Sequence, residues 1–242
     1  MSLATNPTTS ARAEILANVR SATADITTEP RLRAPHGHDD PRGARPHVSV
    51  RGTKSLPRGE TLDLLAENVA DYRATVLRVP EAEVGAAIVG ALRAVDASSV
   101  VLPTGLDDEW QQAVREAFDV VAESGSTTLV LDSVDAVVTG SAVGIATTGT
   151  IVLDHGPDQG RRALTLVPDT HVCVIRDAHV VHDVPEAVAR LRTATGQQRA
   201  LTWISGPSAT SDIELQRVEG VHGPRNLVVI IVATEIVAKE PV

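Results

Sequence analysis

A segment rich in glycine and small hydroxyl residues, at positions 140–150, has the composition of a loop that can hold an anion. Glycine lets backbone N–H groups come close to a ligand, and threonine hydroxyls add hydrogen-bond donors. The segment lacks both the Gly-Lys-Ser/Thr ending of a phosphate-binding P-loop and the spaced glycines of a dinucleotide site. Its glycines would equally serve a turn or a close packing contact. The candidate ligand-binding residues here are Thr147, Thr148, Gly149 and Thr150.

A second segment, residues 205–214, places serines at the end of a predicted strand, where a Gly-Pro pair favours a turn. Ser211 and Glu214 have the spacing of a helix capping box, and Asp212 suits the first turn of that helix. Capping leaves Ser205 and Ser208 unexplained. They precede a helix at the carboxyl end of a strand, where open α/β sheets bind anions. The candidates are Ser205, Gly206, Ser208 and Glu214 for ligand binding and Asp212 for catalysis.

A third segment, residues 219–225, supplies titratable and anion-pairing side chains. Gly220 favours the end of a helix, and Gly223 favours a turn before the last strand. His222 suits proton transfer near neutral pH, and Arg225 suits the clamping of a carboxylate. The structural alternative is a histidine bonded to the loop backbone and an exposed arginine. The candidates are His222 for catalysis and Gly223 and Arg225 for ligand binding.

Other histidines and arginines give weaker signals. His171 and Cys173 share one face of a predicted core strand, where a lone cysteine is ordinarily inert, so we assign no metal ligands. Arg161 and Arg162 follow a glycine turn. Exposure to solvent is the simplest expectation for both, although they are also placed to attract a carboxylate substrate.

Composition narrows the class of protein. The chain has 242 residues, 43% of them hydrophobic, and a net charge of −9, which disfavours nucleic acid and anionic membranes as main partners. Its single cysteine cannot form an internal disulfide or hold an iron–sulfur cluster. No apolar run is long enough to span a membrane, and the N-terminus lacks an apolar signal core. We therefore expect a cytoplasmic protein.

Apolar periodicity predicts an α/β domain preceded by a helix over residues 10–27 and a flexible, Pro-, Gly- and His-rich arm over residues 29–58. From Thr61 onward strands alternate with amphipathic helices, as in βαβ units, which predicts a mixed, mostly parallel sheet flanked by helices. Helices are predicted over 62–72, 80–95, 107–118 and 185–192, with a short one after Ser211. Strands are predicted near 75–79, 99–102, 136–139, 150–153, 163–167, 171–175, 201–205 and 227–232.

Three stretches, taken in order, resemble a known family. They are SAVGIATTGTIVL, RRALTLVPDTHVCVIR and WISGPSATSDIELQRVEGVHGPRNLVVIIV. Residues 61–237 resemble the lactate-utilisation protein C family, whose module is the LUD domain, and the SGPSxTxDIE…GVHGP ending is the most specific part. The resemblance implies a fold like that of the sugar-phosphate isomerase and CoA-transferase superfamily. It divides the chain into an N-terminal part, residues 1–58, and a LUD domain, residues 59–238.

The resemblance also implies a function: a component of a system that oxidises L-lactate to pyruvate and binds a small organic acid or anion. Partner subunits would carry the iron–sulfur clusters and this chain none, in keeping with its one cysteine. Many family members have an acidic residue where this chain has Thr147. A threonine cannot take up a proton near neutral pH, so the departure weakens acid–base catalysis at that loop and leaves binding intact.

Two other functions stay open from the sequence. A stand-alone enzyme acting on a small phosphorylated or carboxylated substrate would hold the anion at Ser205 and Ser208 and use His222 or Asp212 for proton transfer. A ligand-sensing regulatory protein would bind without turnover, because a fold alone does not fix a function. Turnover by the purified protein would identify the first, and altered transcription on deletion the second.

Overall fold

A computed structural model describes residues 11–22, 56–194, 200–210, 218–219 and 223–233. The chain forms two compact units, residues 1–49 and 50–242. In the first unit, helix α1 (Ala11–Ala22) lies within the range predicted for it, and its Ile15, Leu16 and Val19 are exposed. Most of the predicted arm, residues 29–55, lies outside the described residues.

The second unit alternates helices and strands, as the sequence predicts. Its helices are α2 Arg58–Asp71, α3 Val84–Ala94, α4 Asp108–Ala117, α5 Thr128–Asp132 and α6 Val184–Ala194. Its strands are β1 Thr75–Pro80, β2 Ser99–Leu102, β3 Asp119–Ala122, β4 Ala136–Thr139, β5 Val143–Ile145, β6 Thr150–Leu153, β7 Thr170–Arg176, β8 Val180–Val181, β9 Thr202–Ile204, β10 Ala209–Thr210, β11 Val218–Glu219 and β12 Asn226–Ala233. None of the described helices is long and apolar enough to cross a membrane.

Six of these strands form a parallel sheet in the order β1-β12-β7-β4-β2-β3, which confirms the predicted α/β class. The middle strands are buried on both faces, as their continuous aliphatic runs require. One face packs on α3 and α4 through side chains such as Ile88, Leu92 and Val172. The other face packs on α2 through side chains such as Leu65 and Ile175.

A second sheet lies on the α2 side of the first. Its four strands run in the order β8-β5-β6-β9, and β6 is antiparallel to both β5 and β9. Ile151 and Leu153 of β6 join the core under the parallel sheet, while Val152 packs with Ala187 and Leu191 of α6 on the opposite face. These four strands thus form a separate layer, and its two middle strands, β5 and β6, are buried on both faces.

The predicted strand over residues 163–167 is wrong. Residues Arg162–Thr165 form a 3-10 turn, and Leu164 inserts between Val101 and Leu131 in a small separate cluster. A short apolar run has no period that distinguishes a strand from a buried turn, so only the packing decides. The sequence analysis also missed β3, β5, β8, β10, β11 and α5. Most of the helix predicted between Ser211 and Gly220 falls on residues 211–217, outside the described part of the chain, but Val218–Glu219 form strand β11, so the prediction is wrong for that end.

The loop over residues 154–160 covers the carboxyl ends of β2 and β4. The N–H of Gly105 donates to the carbonyl of Pro157 at 2.9 Å, and that of Gly140 donates to the carbonyl of Asp158 at 2.9 Å. A Cβ at Gly105 would lie 2.4 Å from the Cβ of Pro157, and one at Gly140 would lie 2.2 Å from a carboxylate oxygen of Asp158. Glycine at these two positions is what lets the loop come so close.

Candidate functional site

A cavity of about 290 Å³ lies between β9, the 3-10 turn at Arg162–Thr165 and the first residues of β7 and β12. Its polar lining residues are Arg162, Thr165, His171, Thr202, Ser205 and Ser208. Trp203, Ile204 and Leu227 are among its apolar lining residues. The cavity therefore combines one cation, several hydroxyl groups and apolar walls, a composition suited to a small polar ligand.

The turn after β9 forms one rim of this cavity. Gly206 has a φ of +89°, and a Cβ there would lie 2.6 Å from the Cβ of Tyr72, so glycine is required on both counts. The N–H of Ser208 donates to the carbonyl of Pro224 at 2.8 Å, which joins this turn to the turn before β12. The structure thereby brings together four predicted residues, all lining the cavity: Ser205, Gly206, Ser208 and Gly223.

The predicted residues of the 147–150 segment lie beside the cavity and do not line it. Thr150 Oγ1 is 2.8 Å from Ser205 Oγ, and Thr148 Oγ1 donates to Thr150 Oγ1 at 2.8 Å, so a run of hydroxyl groups leads to the rim. Gly149 has a φ of +57° and serves the turn. Thr147 is exposed, and its N–H donates to a backbone carbonyl. The hydrogen bonds from Thr148 through Thr150 hold the hydroxyl group of Ser205 in position at the rim of the cavity.

Arg162 brings a positive charge to the cavity. No hydrogen bond or ion pair to its guanidinium exists among the described residues. By contrast, the neighbouring Arg161 donates to the carbonyl of Ser126. A guanidinium with its donors free can bind a carboxylate through two parallel hydrogen bonds. The exposed arginine of the sequence analysis is therefore the cation that faces the cavity.

His171 is the most deeply buried residue of the lining, with 1% of its surface exposed. Its Nε2 is 2.8 Å from Thr139 Oγ1, and no partner to Nδ1 occurs in the described part of the chain. Burial lowers the pKa of His171 to about 4, so the imidazole is neutral at pH 7. A neutral imidazole held at one nitrogen offers the other to a ligand as a donor or an acceptor.

Arg225 lies in a different place from the other predicted ligands. It lines a separate cavity of about 380 Å³ at the amino ends of the parallel strands, with Asp96, Asp135 and Asp169. Its Nε is 3.5 Å from a carboxylate oxygen of Asp169, the residue that precedes β7. The structure does not bring Arg225 to Ser208, because this acidic neighbour holds the guanidinium on another side.

Three further candidates, Asp212, Glu214 and His222, lie outside the described residues.

The sequence analysis missed His155 and Thr202 entirely and treated His171 only as a metal-ligand candidate. Thr202 Oγ1 is 2.9 Å from His155 Nε2, although 47 positions separate them. Only the antiparallel pairing of β6 with β9 brings the two together. No spacing rule in the sequence gives that register.

Metal binding finds no support in the described residues, where no three His, Cys, Asp or Glu side chains group to hold an ion. Burial raises the pKa of the Cys173 thiol to about 12, which keeps it from forming the thiolate that a metal requires. His179 Nδ1 donates to the carbonyl of Ser141 at 3.0 Å, a structural contact.

Comparisons with known proteins identify what this chain is similar to. The family model described as LUD domain matches residues 62–232. A lactate utilization protein C of Deinococcus radiodurans is 47% identical over 178 residues, which cover 73% of this chain and 82% of that protein. Another, of Oceanobacillus iheyensis, is 22% identical over 206 residues, covering 78% and 88%. The crystal structure of a DUF162 family protein from Deinococcus radiodurans matches with a TM-score of 0.63 and 41% identity, covering 74% of this chain and 99% of that one.

Proposed function

Because this chain belongs to the LUD domain family, we propose that it serves the oxidation of L-lactate to pyruvate by binding a small carboxylate in the cavity beside β9. Its relatives named lactate utilization protein C support its involvement in lactate utilisation. We assign the oxidation itself to partner subunits that carry iron–sulfur clusters. We also expect the system to act in the cytoplasm. The binding of a carboxylate is the step that the residues of this chain can be asked to perform.

The observation that carries the proposal is the position of Arg162. It is the one arginine or lysine among the described residues that line the cavity, and its guanidinium makes no hydrogen bond or ion pair there. The chain as a whole has a net charge of −9, so its overall field repels anions. At the cavity of such a protein, a cation with no partner among the described residues supplies the local attraction that an anionic ligand needs.

The size and lining of the cavity also fit a small hydroxy acid. Its volume of about 290 Å³ is at the lower limit of ligand pockets, which range from about 300 to 1,000 Å³. Arg162 would pair with the carboxylate, the neutral His171 and the serine hydroxyls would bind the 2-oxygen, and Ile204 or Leu227 would contact the methyl group. Ser205 and Ser208 keep the binding role that the sequence suggests.

The iron–sulfur partner subunits in the proposal come from the resemblance to the lactate-utilisation protein C family, and the thiol count of this chain agrees with them. A [4Fe–4S] or [2Fe–2S] cluster ordinarily takes four cysteine thiolates, and this chain has one cysteine. That cysteine, Cys173, is fully buried. Electron transfer through a cluster is therefore assigned to other chains. Affinity purification of the tagged protein from lactate-grown cells should recover brown, iron-containing partners, and recovery of the chain without iron would contradict this part of the proposal.

Calorimetric titration with L-lactate and with pyruvate tests the binding proposal. We expect the wild-type protein to bind at least one of them and Arg162→Gln to weaken that binding by about 10- to 100-fold, the usual effect of removing a charged hydrogen bond. Arg93→Gln, on the exposed surface of α3, is the matched control and should bind as the wild type does. Equal affinity of Arg162→Gln and the wild type, or no binding of either acid, would overturn the proposal.

A further inference from the structure

Thr202, which lines the cavity, forms a hydrogen-bonded pair with His155, which does not. His155 Nδ1 is 3.1 Å from the carbonyl oxygen of Gly160, and a carbonyl can only accept, so Nδ1 carries the proton. In the neutral imidazole Nε2 is then an acceptor. Thr202 Oγ1, 2.9 Å away, therefore donates its hydroxyl proton to Nε2. A hydroxyl, an imidazole and a third group that orients the imidazole are the parts of an activated nucleophile.

The backbone holds His155 in an unusual conformation to make this contact. Its φ is +56°, in the left-handed region that residues other than glycine seldom adopt, and such residues concentrate at functional sites. The side-chain oxygen of Gln159 accepts the N–H groups of both Asp154 and His155, at 2.7 and 3.2 Å. Gln159 is itself 3% exposed. A buried amide thus fixes the loop in the form that aims His155 at Thr202.

The other member of the pair faces the cavity. Thr202 lines it together with Arg162 and His171, and β9 places Thr202 opposite Leu153, two residues before His155. Thr202 is therefore a residue that borders the cavity and whose hydroxyl is bonded to a base.

We propose that Thr202 is a nucleophile and His155 its general base, which gives this chain an acyl-transfer activity on small esters or thioesters. This activity goes beyond carboxylate binding, and it uses two residues that the binding proposal does not need. Arg162 would select substrates that carry a carboxylate in addition to the acyl group.

Water is the only co-reactant that this reaction needs. Thr202 Oγ1 attacks the acyl carbon while its proton moves to His155 Nε2. The bond from the acyl carbon to the alcohol oxygen or thiol sulfur then breaks, and the leaving group takes the proton from Nε2. Water next attacks the threonyl ester, gives one proton to Nε2 and its hydroxyl to the acyl carbon, and the Nε2 proton returns to Thr202. The net change is the hydrolysis of one ester or thioester to an acid and an alcohol or thiol.

The test uses p-nitrophenyl acetate, whose lack of a carboxylate makes the result independent of Arg162 and of lactate binding. We expect the full chain to release p-nitrophenolate with a burst and to gain one acetyl group, which peptide mass mapping should place on Thr202. Thr202→Val keeps the β-branched shape and should abolish the burst, whereas Thr202→Ser should retain it. The matched control is Thr75→Val, at the exposed start of β1, and it should react as the wild type does.

A second variant separates catalysis from folding. Asparagine tolerates the left-handed backbone of residue 155, so His155→Asn should fold and should lower the rate of acetylation by about 100-fold or more. Thermal melts of each variant confirm the folded state. An acetyl group on any other residue, an unchanged burst in Thr202→Val, or wild-type acetylation in folded His155→Asn would overturn the proposal.

Discussion

In the second unit, the carboxyl ends of the parallel strands and the first residues of β7 and β12 differ in what lies against them. At the carboxyl ends of β2 and β4, where open α/β sheets ordinarily bind ligands, the loop over residues 154–160 lies directly against the residues that follow the strands. Near the first residues of β7 and β12, a cavity of about 290 Å³ stays open and carries a free cation. The difference shows that sheet topology alone does not place a ligand site, because a neighbouring loop decides which crevice remains available.

Two glycines explain why the loop lies close to the carboxyl ends of β2 and β4, which we call the closed side. Two polar side chains distinguish the cavity near β7 and β12, which we call the open side. Gly105 and Gly140 let the backbone of the loop approach within hydrogen-bond distance. On the open side His171 is buried without charge, and Arg162 remains unpaired within the described structure. At the first place the loop backbone bonds directly to the residues after the strands, and at the second place polar atoms of the lining have no protein partner among the described residues. The predictions below test this contrast from the largest expected effect to the smallest.

The stability of the protein should depend on pH through His171. The unfolded chain takes up a proton on this residue as the pH falls through about 6.5, whereas the folded protein does not until about pH 4. Falling pH therefore favours the unfolded state across that window, and the free energy of unfolding should drop by about 3 kcal/mol between pH 6.5 and 4. Above pH 6.5 this contribution is fully present.

Urea denaturation of the wild type and of His171→Gln at several pH values isolates this effect. Carboxylates elsewhere titrate in both proteins, so the difference between their unfolding free energies reports on His171 alone. That difference should narrow as the pH falls from 6.5 to 4. Parallel curves for the two proteins would show that the imidazole is accessible to protons and that the open side is not as dry as its burial indicates.

Gly105→Ala should destabilise the closed side by about 2 kcal/mol, because its Cβ would overlap the backbone of Pro157. The matched control is Gly90→Ala in α3, where nothing lies within 4 Å and alanine should stabilise the helix by about 1 kcal/mol. Thermal unfolding measures both. A Gly105→Ala protein as stable as the wild type would mean that the loop moves away easily and that the crevice is open to ligands after all.

Arg225→Gln should have the smallest effect. Its ion pair with Asp169 is exposed on both sides, and such pairs contribute about 0 to 1 kcal/mol. Lactate affinity measured by calorimetry should equal that of the wild type, since Arg225 lies in the other cavity. A loss of affinity as large as that of Arg162→Gln would place the ligand in the cavity lined by Arg225 instead.

The sequence predicts several strands of the two larger sheets well because each of these strands carries its own signal. Residues 99–102, 136–139 and 150–153 are short apolar runs bounded by polar or turn residues, and the structure has β2, β4 and β6 at those positions. The turn at residues 205–208 was also recognisable, because Gly-Pro after a strand has a local meaning. Local chemistry was sufficient for these elements.

Contacts between distant residues were not predictable in the same way. His155 and Thr202 meet only through the register of β6 against β9, and Arg225 pairs with Asp169 because β12 lies beside β7. Arg162 belongs to a turn that the apolar pattern gives as the approach to a strand. In each case the position of a side chain depends on a neighbour in space that the sequence order does not reveal.

The position of β12 has a consequence for how the protein is made. This strand comes after β1 and β7 in the chain, yet it lies between them in the sheet. A ribosome therefore releases both neighbours before their shared strand exists, and each leaves an apolar edge without its backbone partner until translation passes residue 226. The parallel sheet is therefore completed by a strand that enters between two earlier ones, and exposed strand edges of this kind favour self-association until that strand is in place.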